Sequence, residues 1–328
     1  MSLRIIKEGI LDTIQDTGRC GSQHLGINPG GAMDRFSAQL ANALLGKPLN
    51  APVLELHFPA AQILFESPTV IAICGADFKP LINNKPVPSH HPIALNENSL
   101  LHFSHMESGA RVYVALLDEM ELDKWEGSYS TNLNAETGGY KGKALSRYDV
   151  IPFTGNHKLA TVLEEKEFMV LPWKAVETIE DRNTIQCIIG SEWHSLNKDS
   201  REEFGSHWYQ VSKESDRMGY RLLGQPLKMM DKEPLVSSGV SFGTVQLLPG
   251  GSLIVLMADH QTTGGFPRIA HVISAHLPLL AQKKPGDAFR FEMTDLFTAE
   301  EKLLKQQKYL DEIGIACKFR MENFLHVS

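Results

Sequence analysis

The chain reads as a mainly β protein made of two related halves in tandem, with few helices. Three observations predict this. Short β-rich runs recur at 61–65, 69–74, 111–117, 185–189, 244–248, 253–257 and 289–292, broken by Gly, Pro and Asn; runs of that length and density suggest barrels or sandwiches. The sequence also repeats itself in order. Finally, 328 residues exceed the roughly 250–300 at which a single hydrophobic core stops growing.

The repeat rests on several anchors. Met33-Asp34-Arg35 precedes Leu44-Leu45-Gly46-Lys47-Pro48-Leu49, as Ser215-Asp216-Arg217 precedes Leu222-Leu223-Gly224-Gln225-Pro226-Leu227. Phe58 to Gln62 then leads through an apolar stretch to Ala76-Asp77, as Phe242 to Gln246 leads to Ala258-Asp259. Asn98 to Phe103 lines up with Gly286 to Phe291. Such internal similarity marks duplicated units. The joint is expected near 150–165, where Pro152, Gly155-Asn156 and a charged run, Glu164-Glu165-Lys166-Glu167, fall together. The halves are then 1–155 and 156–328.

Taken in order, the first half opens with a glycine-rich lead, Asp16-Thr17-Gly18-Arg19-Cys20-Gly21, followed by Gly26 to Asp34. Arg19 either presents a planar fork to a carboxylate or phosphate or pairs with Asp16. A helix is expected over 35–45, with Phe36, Leu40, Ala43 and Leu44 on one face, Asp34 as N-cap and Gly46 as stop. Capping explains Asp34 well, and a functional carboxylate is the other reading. After Asp77 the chain continues as an ordinary turn. Gly127 to Thr131 and Gly138 to Lys143 miss the spacing of a phosphate loop; they read either as a lid carrying hydroxyls and lysines or as a plain loop.

In the second half, Asp216-Arg217-Met218-Gly219-Tyr220-Arg221 offers cations, a phenol and backbone access within one turn. The competing reading pairs Arg217 with Asp216. An apolar strand at 253–257 then runs into Asp259-His260-Gln261-Thr262-Thr263-Gly264-Gly265-Phe266-Pro267-Arg268. Pro267 is expected to open a helix with Ile269, Val272, Ile273 and Leu277 apolar, ending at Pro278. Glycine amides at such a helix start would hold an anionic or strongly polar group, with Asp259 and Arg268 at its edges. A last helix is expected from Thr298, with Glu301 completing a capping box, to Gly314.

Composition limits the functions. Hydrophobic residues are 42% and charged residues 22% of the chain, the profile of a globular protein. A formal charge of −7 gives no basic face for nucleic acid. No apolar run approaches the roughly 20 residues of a membrane helix, and the first residues have no signal-peptide core, so no membrane partner and a cytoplasmic location are expected. Cys20, Cys74, Cys187 and Cys317 form no CxxC pair. His90, His91, His102 and His105 lack helical metal-ligand spacing, and no metal is expected. There is no GxSxG elbow and no dinucleotide GxGxxG after a strand.

These motifs together resemble the biotin-dependent carboxyltransferase family, also called the allophanate hydrolase subunit 2 or KipA-like family. They are Asp16-x-Gly18-Arg19-x-Gly21, Gly31-Ala32-Met33-Asp34, Leu54-Glu55, Gly127-Ser128-x-Ser130-Thr131 with Gly138-Gly139, Asp216-Arg217-Met218-Gly219-Tyr220-Arg221-Leu222, Gly243-Thr244-Val245-Gln246 and Asp259-x-Gln261-Thr262-Thr263-Gly264-Gly265-x-Pro267. The resemblance runs from about residue 4 to about residue 292. The chain departs from the family pattern at Gly46-Lys47, at Asp118-Glu119 and near Gly142-Lys143.

The resemblance implies a pair of tandem cyclophilin-like β-barrel domains with a few short helices. It implies the C subunit of an ATP-dependent 5-oxoprolinase, acting with a KipI-like B subunit, together with the A subunit, to open a small cyclic amide. ATP would bind this chain or one of its partners. Two alternatives follow from the same family. One is a carboxyltransferase moving a carboxyl group from carboxybiotin to urea or a similar amide, with a slot for the biotin ring near Phe266 and Tyr220. The other is a non-catalytic partner of a kinase inhibitor. In the first reading Asp259, Arg217 and Arg268 are catalytic, and Arg19, Asp34, Tyr220, Arg221, Gln261, Thr262, Thr263, Gly264 and Gly265 bind substrate. Arginine forks and glycine amides suit a planar amide that develops oxyanion or phosphate charge.

Overall fold

The structure, a computed structural model, describes residues 1–155, 159, 163, 166–176, 181–230 and 235–326. Most of the expected joint, from 156 to 165, lies outside the described residues. The chain is mainly β and divides into two compact units. The first comprises 1–18, 34–177 and 307–328, and the second 19–33 and 178–306. Residues 19–33 thus belong with the later part of the chain, because Met33 is fully buried in that unit's core.

In the first unit, two six-stranded sheets enclose one core. One runs in the order Val150–Pro152, Ser2–Lys7, Gln62–Phe65, Ser99–Phe103, Pro80–Ile82, Lys85–Pro86. The other runs Phe168–Val170, Pro92–Leu95, Thr69–Asp77, Ser108–Leu116, Val53–His57, Thr13–Gln15. Alternation along the strands decides which side chains enter: Leu54, Leu56, Val112, Val114, Ile71 and Ile73 all point into that core. The opposite face of the second sheet carries Thr13, Glu55 and Tyr113, which stand side by side in the ladder. Helix Arg35–Leu44 packs over the strands Thr69–Asp77 and Ser108–Leu116. It begins where expected: the Asp34 carboxylate accepts from Ser37 N–H at 2.9 Å and Ser37 Oγ at 2.6 Å. Gly46, at φ 68°, follows its end, and a β-carbon there would lie 2.5 Å from the Lys318 backbone. Only glycine meets both demands.

The second unit is a closed barrel of seven strands: Thr184–Ile189, Arg268–Val272, Thr244–Leu247, Leu253–Leu256, Gly219–Leu223, Trp208–Val211 and Ala288–Met293, closed by parallel pairing of the last with the first. Val245, Val255, Leu222, Tyr209, Phe289 and Phe291 fill it. Helix Lys198–Ser206, capped by Asn197, stacks Phe204 on Phe291 with ring centroids 4.7 Å apart.

Two helix expectations are corrected. Residues 268–272 are a barrel strand, not a helix; a single 3-10 turn Ser274–His276 and helix Leu277–Ala281 follow. The spacing of Ile269, Val272 and Ile273 suited a helix, but these side chains are β-branched and the segment finds strand partners on both sides. The last helix spans Leu296–His326, well past Gly314. Its cap is Asp295, whose carboxylate accepts from Thr298 N–H and Oγ1, each at 2.9 Å, in place of the expected Thr298–Glu301 box. Among the described residues no helix is long and apolar enough to cross a membrane.

Candidate functional site

Within the second unit, the strand Leu253–Leu256 ends at Met257-Ala258, both fully buried, and delivers Asp259 beside Arg217. The backbones are tied first: Asp259 N–H donates to the Arg217 carbonyl at 2.8 Å and Met257 N–H to that of Met218 at 3.0 Å. The side chains then pair at two points, Nε to Oδ2 at 2.7 Å and Nη2 to Oδ1 at 3.2 Å. Arg217 Nη2 also donates to the Gly31 carbonyl at 2.7 Å. A fork-to-carboxylate pair of this kind fixes both groups in direction as well as charge. The side chains are 6% and 13% exposed, so water screens them little. Arg217 therefore pairs with Asp259, and the alternative pairing with Asp216 falls: the Asp216 carboxylate instead accepts from Met218 and Gly219 N–H.

The segment 19–33 lines this pair. Asn28 Nδ2 donates to the Asp259 carbonyl at 3.0 Å. Arg19, only 2% exposed, closes its own loop through a 2.7 Å bond from its N–H to the Pro29 carbonyl. Gly30, at φ 61°, is the contact point: a β-carbon there would stand 2.9 Å from Arg19 Nη1 and 3.7 Å from Asp259 Oδ1. A guanidinium and a carboxylate thus converge on a patch of bare glycine backbone. An amide can be held there with its N–H toward the carboxylate and its oxygen toward the cation.

The other expected site residues are elsewhere. Arg268 is held at two points by Glu192, Nη2 to Oε1 at 2.7 Å and Nε to Oε2 at 3.1 Å, and it reaches the Gly239 carbonyl at 3.4 Å. Burial alone would raise the Glu192 carboxyl, but the Arg268 hydrogen bonds and charge pull it below its ordinary value. Beside this pair, His271 Nδ1 lies 3.2 Å from Thr244 Oγ1; burial, then the Arg268 charge, lowers the imidazole. Thr263-Gly264 pairs with Ser238-Gly239 in a small two-stranded ribbon, and Thr262 accepts from Val240 N–H. Gln261 and Gly265 are exposed. No helix N-terminus stands behind this turn, because the segment after it is a strand. Tyr220 is a barrel-core residue whose hydroxyl donates to the Lys283 carbonyl at 3.1 Å, and Phe266 is exposed. Arg221 points outward from the same strand, as alternation requires.

In the first unit, Asp34 serves as the helix cap described above, and its N–H donates to Tyr113 Oη, which donates to Glu55 at 2.8 Å. Burial, then the Glu55 and Asp34 charges, holds the Tyr113 phenol well above its usual range, so it stays a donor. The stretch Gly127 to Thr131 is pinned rather than loose. The Asp16 carboxylate accepts from Ser128 Oγ, Ser130 Oγ, Tyr129 N–H and Gly18 N–H at 2.5–2.7 Å. Asp16 is thereby occupied by its own loop. Two departures from the family pattern also meet: Lys47 Nζ donates to the Leu116 and Asp118 carbonyls at 2.5 and 3.2 Å, and burial lowers that amine to about 8.

Sequence reading missed Asn28, Gly30 and Glu192. The glycine pair 30–31 was visible as a motif, whereas Asn28 and Glu192 carry no local signal.

A family model described as the carboxyltransferase domain, subdomain A and B, matches residues 25–293. The chain belongs to this family. It is 32% identical to the 5-oxoprolinase C subunit of Haemophilus influenzae over 92% of this chain and 94% of that one. It is 33% identical to the 5-oxoprolinase C subunit of Escherichia coli over 95% and 97%. Urea amidolyase of Saccharomyces cerevisiae is 30% identical over 88% of this chain, which corresponds to 16% of that much longer protein. The crystal structure of Kluyveromyces lactis urea carboxylase shares the fold at a TM-score of 0.83 and 25% identity, covering 95% of this chain and 29% of that one. The mainly β architecture is thus that of a carboxyltransferase domain.

Proposed function

We propose that the chain is the C subunit of an ATP-dependent 5-oxoprolinase, working with a KipI-like B subunit, together with the A subunit, to open 5-oxoproline to glutamate. The observation that carries this reading is the end-to-end match to two 5-oxoprolinase C subunits, over more than nine-tenths of both chains. The buried Arg217–Asp259 pair supports it chemically. Asp259, held in direction by the guanidinium, accepts the lactam N–H. Arg19, close to the same glycine backbone, donates to the carbonyl oxygen as it gains charge, the kind of preorganised stabilisation that lowers such barriers most. ATP, on this chain or on a partner, supplies the phosphoryl group that makes the amide carbon reactive. The test is ADP release from the three mixed proteins on addition of 5-oxoproline. Release should require this chain and be lost with Asp259→Asn; no release from all three wild-type chains would overturn the reading.

A second reading is favoured by the family's own description and by the urea amidolyase relative. Here the same site accepts a carboxyl group from carboxybiotin borne on another chain. Avidin separates the two, since it blocks a biotin-borne reaction and leaves an ATP-driven hydrolysis untouched.

A further inference from the structure

In the second unit the strands Thr244–Leu247 and Arg268–Val272 pair with Thr244 opposite His271 and Gln246 opposite Arg268. Val245, Leu247, Ile269, Ala270 and Val272 belong to the barrel core. Alternation therefore leaves Thr244, Gln246, Arg268 and His271 together on the outer face. Thr244 and Gln246 are nonetheless 0% and 1% exposed, because the ribbon of Ser238-Gly239 and Thr263-Gly264 lies against them. Arg268 Nη1 reaches the Gly239 carbonyl at 3.4 Å, and a β-carbon at Gly264 would stand 2.7 Å from Gln246 Nε2.

The polar groups of this face are underused. Gln246 makes one side-chain hydrogen bond, from Nε2 to the Phe266 carbonyl at 3.5 Å, and its Oε1 accepts none among the described residues. A buried amide ordinarily fills most of its hydrogen-bonding positions, and leaving them empty is destabilising. Arg268 gives Nε and Nη2 to Glu192, whereas Nη1 has only the long contact to Gly239. His271 uses Nδ1 on Thr244, and its Nε2 bonds to none of the described residues.

Charge and shape narrow what belongs there. Glu192 cancels the charge of Arg268. His271, lowered by burial and then by the Arg268 charge, is neutral near neutral pH. The face thus offers donors and acceptors without net charge, and an anion would lose its hydration for little return. The Gln246 amide presents an acceptor and a donor on one edge, in one plane. Its match is an amide whose own N–H and C=O lie side by side, as in a lactam or a urea. A trans peptide bond points them apart.

We propose that Gln246, Arg268 and His271 form a second binding site, under the ribbon, for a small uncharged planar amide of the lactam or urea type. Gln246 pairs with the amide edge, and Arg268 Nη1 donates to the carbonyl oxygen. The ligand replaces contacts of 3.4 and 3.5 Å, which are long for hydrogen bonds. The site shares no residue with the Arg217–Asp259 pair and goes beyond the function proposed above.

The test is an NMR titration of the full chain, read at the Gln246 side-chain amide signal, which is assigned by its absence from Gln246→Leu. The probes are 2-pyrrolidinone and urea. At least one should shift that signal to saturation, and the tighter of the two tells a lactam site from a urea site. 5-Oxoproline, a lactam bearing a carboxylate, should bind here about tenfold or more weakly than 2-pyrrolidinone. Gly264→Ala sets its β-carbon against Nε2 and should weaken the bound probe by about tenfold or more. That residue lies on the ribbon, outside the barrel core, so the fold is kept, and circular dichroism checks this. Asp259→Asn should leave the titration unchanged, which makes the outcome independent of ADP release. The proposal is overturned if neither probe moves the signal, if Gly264→Ala leaves the affinity as it was, if 5-oxoproline binds as tightly as 2-pyrrolidinone, or if Asp259→Asn abolishes the titration.

Discussion

Arg217 and Asp259 lie 42 positions apart in the chain and meet as a two-point ion pair, at 2.7 and 3.2 Å, while the same guanidinium holds the Gly31 carbonyl at 2.7 Å. One arginine thus ties the barrel's acid to the glycine segment that lines it. Fold and chemistry cannot be separated at this residue.

Removing the cation should be costly in both respects. Arg217→Ala leaves a buried carboxylate unpaired and is expected to lower stability by about 3 kcal/mol or more. Arg217→Lys keeps the charge but loses the fork, and should fall between. Thermal melts beside the coupled ADP assay read the two effects separately.

Gly30→Ala is a sharper probe of the site. The φ of 61° costs an alanine about 1 kcal/mol, and its β-carbon would push on Arg19 Nη1. Activity should drop far more than stability. Equal loss of both, measured on one preparation, would remove Arg19 from the chemistry.

Asp16→Ala should unfasten the stretch Gly127 to Thr131 without touching the barrel. Its four short bonds make a loss of about 2–4 kcal/mol reasonable for a buried, charged acceptor. Limited proteolysis should then cut within residues 127–142 while the barrel stays intact. An uncut loop would show that the serines hold it on their own.

Asp12 predicts a pH dependence. Burial raises its carboxyl to about 7, against the pull of hydrogen bonds from His57 and Ala61 N–H. The folded protein then holds a proton that the unfolded chain, near 3.8, has released. This contribution is complete below the unfolded value and is lost as pH rises through the folded one. Stability should fall by on the order of 1 kcal/mol per pH unit across that window. Asp12→Asn should flatten the melting temperature between about pH 4 and about pH 7, as scanning calorimetry would show.

Much of the local structure could be read directly. The strand runs and the start of the first helix at Asp34 depend on periodicity and on hydrogen bonds spanning a few residues. Its stop at Gly46 could be read in the same way. The same reasoning failed after Pro267. Ile269 and Val272 fit a helix face by spacing alone, and only partners at 184–189 and 244–247 make the segment a strand.

The amino-acid sequence by itself determined a mainly β chain of the carboxyltransferase family, and it marked Arg19, Arg217 and Asp259 as chemically capable. The tertiary structure alone decided that Arg217 takes Asp259 rather than its neighbour Asp216, and that Arg268 is neutralised by Glu192. Capping and alternation act between residues close in the chain, so residue order reveals them. An ion pair forms where the fold removes water from both charges, and that burial depends on segments far apart in sequence.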